Sequence, residues 1–358
     1  MSTARQIATG LMAATLATTA AVTVQAQTQA PMQLSPAPAQ PLPKPSAPAR
    51  KPVKPQAVPA PPALPEAPQP TIASRRDIDE AYGAYQRGFY LTAFAAAMKQ
   101  VEQKRNPKSM TLLGELYANG LGVGQDDQKA AEWYRLAADN GDREAMFALA
   151  MFRLAGRAGA PNREQAAKLL AAAAKLGHVT ASYDLALFYL DGQIFPRDYA
   201  RAAELLRTAA EAGSPEAQYA LATLYKEGRG VAKDPKEATR GLAAAAAGDN
   251  VDAEVEYAIA LFNGVGVARN EAAAAALLQK AARRGSPIAQ NRLANILALG
   301  RGLPADPVAA IKWHMIAKAG GVSDIPLDEF SQKQKPEVRA AAHKAAQPWI
   351  DAIKAPRS

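Results

Sequence analysis

The stretch Leu116 to Asp126 reads LYANGLGVGQD and places glycine at positions 120, 122 and 124. Glycines at alternate positions let backbone amides converge on an anion, so this spacing suits a phosphate cradle; it suits a tight turn equally well. A dinucleotide fingerprint needs a strand before its glycines, whereas TLLGELY before Gly120 has helical patterning. The histidines, His178, His314 and His343, lie in different parts of the chain without a glutamate at ligand spacing, which favours structural roles over a metal site. Carboxylates are plentiful, as in DEAY and DAEVE, but nothing fixes them as pairs, and no nucleophile with its base and orienting acid is readable. Cysteine is absent, which excludes disulfides, thiolate metal sites and cysteine nucleophiles. A non-catalytic protein without a cofactor is expected.

What positions these residues is a repeat. Gly120, Gly156, Gly192, Gly228, Gly264 and Gly300 recur every 36 residues. Ten residues after each glycine stands Ala130, Ala166, Ala202, Ala238, Ala274 or Ala310; seventeen after stands Ala137, Ala173, Ala209, Ala245, Ala281 or Ala317. Small side chains at fixed sites are what closely approaching helix backbones require. Six residues after each glycine comes Asp126, Asn162, Asp198, Asp234, Asn270 or Asp306, all side chains able to cap a helix N-terminus. Asp234-Pro235 and Asp306-Pro307 add the N-cap and N1 pattern, and Ser214-Pro215 and Ser286-Pro287 repeat it at the start of the other helix. Each unit therefore reads as a helix hairpin with a glycine turn, and stacked hairpins bury one another's faces.

Composition agrees with an all-α chain: 49% of the 358 residues are hydrophobic but only 6% are aromatic, so small alanine-rich helices carry the apolar mass. The region before the repeats differs. Residues 1–26 read as a signal peptide, with Arg5, a modestly apolar run from Ile7 to about Val22, and Val24-Gln25-Ala26 before Gln27. Residues 27–72 hold 15 of the 27 prolines and read as a disordered Pro/Ala-rich linker, either a spacer or a docking strip. Of the net charge of +9, Arg5 and the excess of Lys44, Arg50, Lys51 and Lys54 over Glu66 lie in these segments, leaving about +5 for the rest. No basic run with interleaved aromatics points to nucleic acid.

The pattern LLGELYANGLGVGQDDQKAAEWYRLAADNGDREA, echoed in YALATLYKEGRGVAKDPKEATRGLAAAA and YAIALFNGVGVARNEAAAAALLQKAARRG, resembles the Sel-one-like repeat (SLR), a relative of the tetratricopeptide repeat. The resemblance covers residues 108–322 and implies a right-handed α/α superhelical solenoid of about six hairpins. Residues 73–107 resemble a tetratricopeptide hairpin, through Tyr85, Gly88, Tyr90 and Ala93, that caps the N-terminal end; residues 323–358 supply a C-terminal capping helix, Lys335 to Ile353, and a tail. The cysteine-rich secreted branch of the family, for which penicillin binding has been suggested, is not matched.

The resemblance also implies where a partner binds. In tetratricopeptide proteins the ligand-facing positions of the concave groove lie on the first helix, here nine and five residues before each turn glycine. They are Thr111 and Glu115, Phe147 and Met151, Tyr183 and Leu187, Tyr219 and Thr223, Val255 and Ile259, and Asn291 and Asn295, with Lys226 and Glu227 as a charged edge. Several of these could instead simply pack within the stack. The expectation is an exported, periplasmic adaptor that is not an integral membrane protein once its signal is removed. Family members of this kind are mostly adaptors, so the partner is expected to be a protein or peptide, with envelope signalling or assembly proteins the natural class. Peptidoglycan contact by an envelope structural factor is the alternative, and a cell-wall or β-lactam-related enzyme a distant third.

Overall fold

Thirteen-residue helices alternate with short glycine turns through most of the chain. The computed structural model describes residues 80–355, and these are all-helical apart from turns. The expected signal peptide (1–26) and proline-rich linker (27–72), together with residues 73–79 and 356–358, lie outside the described residues.

A helix over residues 80–86 (α1) and α2 (Tyr90–Lys104) form the N-terminal hairpin, turning at Gly88 with φ +81°. Six hairpins follow. Their first helices are α3 (Pro107–Asn119), α5 (Arg143–Ala155), α7 (Val179–Asp191), α9 (Pro215–Glu227), α11 (Val251–Asn263) and α13 (Pro287–Leu299). Their second helices are α4 (Asp127–Asp139), α6 (Arg163–Lys175), α8 (Tyr199–Glu211), α10 (Pro235–Ala247), α12 (Glu271–Arg283) and α14 (Pro307–Ala319). Each first helix packs on its own second helix, and each second helix packs on the first helix of the next hairpin, which is the contact pattern of an α/α solenoid.

Local chemistry explains the boundaries. The six register glycines end the first helices in the left-handed region, with φ from 66° to 75°, and their N–H groups close the last turn, as Gly120 does on Leu116 C=O. Six residues on, Asp126, Asn162, Asp198, Asp234, Asn270 and Asp306 accept backbone N–H groups of the second helices. The N–H of each capping residue bonds back to the first helix, from Asp126 to Tyr117 C=O at 3.0 Å and from Asp306 to Leu297 C=O at 3.0 Å. The turn is thus stapled on both sides and several of its amides are already satisfied, which settles LYANGLGVGQD as a turn. Each cap contributes about 1 kcal/mol.

The in-register alanines sit where helices approach closest. All twelve are buried, and eleven of them have no exposed surface. One register site shows how finely this is balanced. Ala150, Ala186, Ala222, Ala258 and Ala294 are buried six residues before their turn glycines, but the first hairpin has Gly114 there. A Cβ on Gly114 would stand 2.6 Å from the Tyr134 ring, and Tyr134 occupies the site held by Leu170, Leu206, Leu242 and Leu278 in later hairpins. A larger side chain on one helix is matched by a smaller one on its neighbour.

Glutamines on the first helices tie successive hairpins together. Gln218 and Gln290 donate to Ala210 C=O and Ala282 C=O at 3.2 and 3.1 Å, each at the end of the preceding second helix. Glu254 holds the same register, cannot donate, and turns instead to Lys280 and Arg284 at 2.8 and 2.9 Å. The end of the stack is covered by α15 (Ile325–Gln332) and α16 (Pro336–Lys354). α16 lies on α14, with Trp349 against Trp313 at 5.2 Å between ring centroids and Ile350 buried. α15 is an element beyond the single capping helix expected from sequence.

Candidate partner-binding face

The first helices stand side by side, and bonds between them run from one hairpin to the next. The positions nine and five residues before each turn glycine lie along this row, but the structure uses many of them internally. Glu115 accepts the Tyr85 hydroxyl at 2.8 Å, and Thr111 donates to Pro107 C=O and Asp142 at 3.1 Å each. Thr223 donates to Tyr219 C=O at 3.1 Å. Asn291 and Asn295 both donate to Asp324 Oδ2 at 3.0 Å, while Asp324 Oδ1 caps α15 through Leu327 N–H. Burial pushes the Asp324 carboxyl up, but these bonds outweigh it and hold the group below its ordinary range.

Lys226 is likewise occupied. Its ammonium lies 2.7 Å from Glu256, which also accepts the Tyr219 hydroxyl at 3.2 Å. Glu227 pairs with Arg229 at 3.2 Å. Leu187 and Val255 are buried. Phe147, Met151, Tyr183 and Ile259 remain half-buried, with no hydrogen bond from their side chains. Aromatic and thioether surface of this kind concentrates in the second and third hairpins.

His178 organises that region. Its Nδ1 accepts the Ala181 N–H at 3.0 Å, so the ring itself caps α7, and Nε2 then carries the proton towards Glu144 at 3.1 Å. That donor, first among the causes, holds the Glu144 carboxyl below its ordinary range. The Phe147 ring stacks on the imidazole at 4.4 Å between centroids. His314 is also buried; its Nε2 lies 2.8 Å from Asp328, which Lys318 reaches at 2.9 Å. Both histidines serve helix ends and junctions. Among the described residues, no group of three or more His, Cys, Asp or Glu side chains is placed to hold a metal ion, and no helix is long and apolar enough to cross a membrane.

One residue of this face escaped sequence reasoning. Asp184 is 8% exposed and stands eight residues before Gly192, the register of Glu256. Burial pushes its carboxyl up to about 7, with the nearby His178 acting the other way. Tyr183 beside it is pushed up to about 12, first by burial and then by Asp184 and Glu216. The signal in the sequence was one charge inside the otherwise uncharged run VTASYDLALFYL.

Hairpins of this geometry, linked by glycine turns and carrying a row of first helices, define a repeat solenoid of the tetratricopeptide-like class. The Sel1 repeat family model matches residues 107–142, 143–178, 179–214, 215–249, 251–286 and 287–321, and the chain belongs to that family. Among solved structures, a Sel1 repeat protein from Oxalobacter formigenes aligns at 26% identity with TM-score 0.58, over 67% of this chain and 96% of that one. A protective antigen present in uropathogenic Escherichia coli strains, described as displaying an SLR fold, aligns at 26% identity with TM-score 0.54, over 79% of this chain and 72% of that one. No curated protein matches the chain.

Proposed function

We propose that this protein is an exported, non-catalytic scaffold that holds a protein or peptide partner on the row of first helices. Sel1 repeat proteins are generally protein-interaction scaffolds, which supports the class. The observation that carries the location is the half-buried Phe147, Met151 and Tyr183 on adjacent first helices, each of which keeps part of its apolar surface exposed although Phe147 stacks on His178 and Tyr183 leans on the core. Aromatic and methionine groups with polar surroundings are the composition of a binding core and rim.

Replacing Phe147, Tyr183 and Tyr219 together with serine is expected to abolish capture of a defined partner from an envelope extract while the helical circular dichroism stays intact. Undiminished capture by the folded variant would rule the face out. Export rests on Arg5, the Ile7 to Val22 run and the Val24-Gln25-Ala26 sequence. Amino-terminal sequencing of protein from a periplasmic fraction is expected to begin at Gln27; a mature chain beginning at the initiating methionine would contradict it.

A further inference from the structure

Two carboxylates occupy one register 72 residues apart, Asp184 and Glu256. Glu256 is satisfied by the hairpin before it, through the Tyr219 hydroxyl and the Lys226 ammonium. Two hairpins earlier, the residue in register with Tyr219 is Phe147 and the residue in register with Lys226 is Leu154. Neither can donate. Among the described residues Asp184 has no hydrogen bond and no ion pair, although it is nine-tenths buried. His178 is not free to supply one, because its two nitrogens are committed to Ala181 N–H and Glu144.

The residue is largely buried but its carboxylate oxygens still reach the surface, so they are open to a cation from outside, and a cation there offsets the partial desolvation of the charge. What the scaffold accepts at this register is visible at Glu256, where a lysine arrives from the neighbouring helix. The surroundings favour a cation as well. α7 itself carries Asp184 and Asp191 and no cationic side chain, and Glu216 of α9 adds its negative charge beside Tyr183. The half-buried Met151 and Tyr183 offer apolar surface for the methylene stem of a long basic side chain.

We infer that Asp184 is the acceptor for a cationic side chain, an arginine or lysine on a bound protein segment, which takes the place that Lys226 fills against Glu256. This rests on the first-helix row being the partner-binding face. The occupant is a partner segment that combines one basic residue with flanking apolar residues, matching an acid set among Phe147, Met151 and Tyr183.

The test is selection of a phage-displayed random dodecapeptide library on the full-length protein, followed by binding assays with the winning peptide in synthetic form. Winners are expected to share an arginine or lysine at one position. Replacing that residue by citrulline or norleucine, or changing the protein by Asp184→Asn or by Leu154→Lys, is expected to weaken binding at least tenfold. Arg240→Ala, on the exposed side of α10, is expected to change nothing. Winners whose binding is lost in Tyr183→Ala but unaffected by Asp184→Asn would overturn this inference and leave the face intact. Winners indifferent to both substitutions, or a library without winners, would overturn the inference and the face together.

Discussion

The junction between the second and third hairpins and the junction between the fourth and fifth share backbone, register and helix length, yet treat a carboxylate in opposite ways. At the later junction Glu256 is held by Tyr219 and Lys226 from the preceding hairpin. At the earlier one Asp184 has Phe147 and Leu154 in the corresponding places, and Phe147 is spent on stacking against His178. A repeat scaffold fixes where side chains stand. Which of them remain available to a partner is decided by two substitutions on a neighbouring helix, and the solenoid tolerates either arrangement because each hairpin contacts only its neighbours.

The largest expected effect comes from neutralising the largely buried acid Asp184. The folded protein holds the Asp184 proton up to about pH 7, whereas an unfolded chain releases it near an ordinary aspartate value. Between those values the native state binds the extra proton, so this group makes stability fall as pH rises, and its penalty is complete above the folded value. Asp184→Asn is therefore expected to stabilise the free protein at pH 8 by up to about 4 kcal/mol and to give little gain near pH 4. Chemical denaturation at both pH values checks this; an equal effect at both would contradict it. His178 and Tyr183, the groups that interact with Asp184, are unchanged in the variant.

A smaller effect is expected from converting the satisfied junction into the unsatisfied one. Tyr219→Phe combined with Lys226→Leu leaves Glu256 without the Tyr219 and Lys226 donors, a loss of about 1–3 kcal/mol. The same denaturation measurement reads it, and a stability unchanged within error would mean that these donors do not hold Glu256 in solution. The smallest effect is the reverse conversion. Leu154→Lys supplies the missing ammonium and is expected to add about 0.5 kcal/mol at pH 8. Its sharper signature is a flatter dependence of stability on pH, since a nearby ammonium draws the Asp184 carboxyl back towards its ordinary range.

Much of the architecture was legible because its causes are local. A left-handed glycine, a capping carboxylate six residues later and alanines where helices touch are each required by a few neighbouring atoms, so they recur at fixed spacing. The caps at Asp126 and Ser286 and the buried Ala137 and Ala281 stand where the register places them. The face was legible only in outline. Whether Glu115, Lys226 or Asn295 points to a partner or to the stack depends on a residue about 30 positions away, Tyr85, Glu256 or Asp324. Asp184 stands between the two register positions of the groove, and only the fold shows that its neighbours offer it no donor. The register places His178 at a helix start, in line with Asp142, Ser214, Asn250 and Ser286, but a ring nitrogen as the capping acceptor is not written in that spacing, and α15, outside the repeat, left no periodic trace.

The central claim is that the first-helix row around Tyr183 and Asp184 is where a partner lies. It is tested most directly by placing a photo-crosslinking amino acid at Tyr183 in living cells, with the same residue at the exposed Arg240 as the control, and identifying crosslinked peptides by mass spectrometry. The account predicts one dominant partner crosslinked at position 183, through a segment containing arginine or lysine, and no such product at position 240. Crosslinks at position 240 with none at position 183 would contradict it.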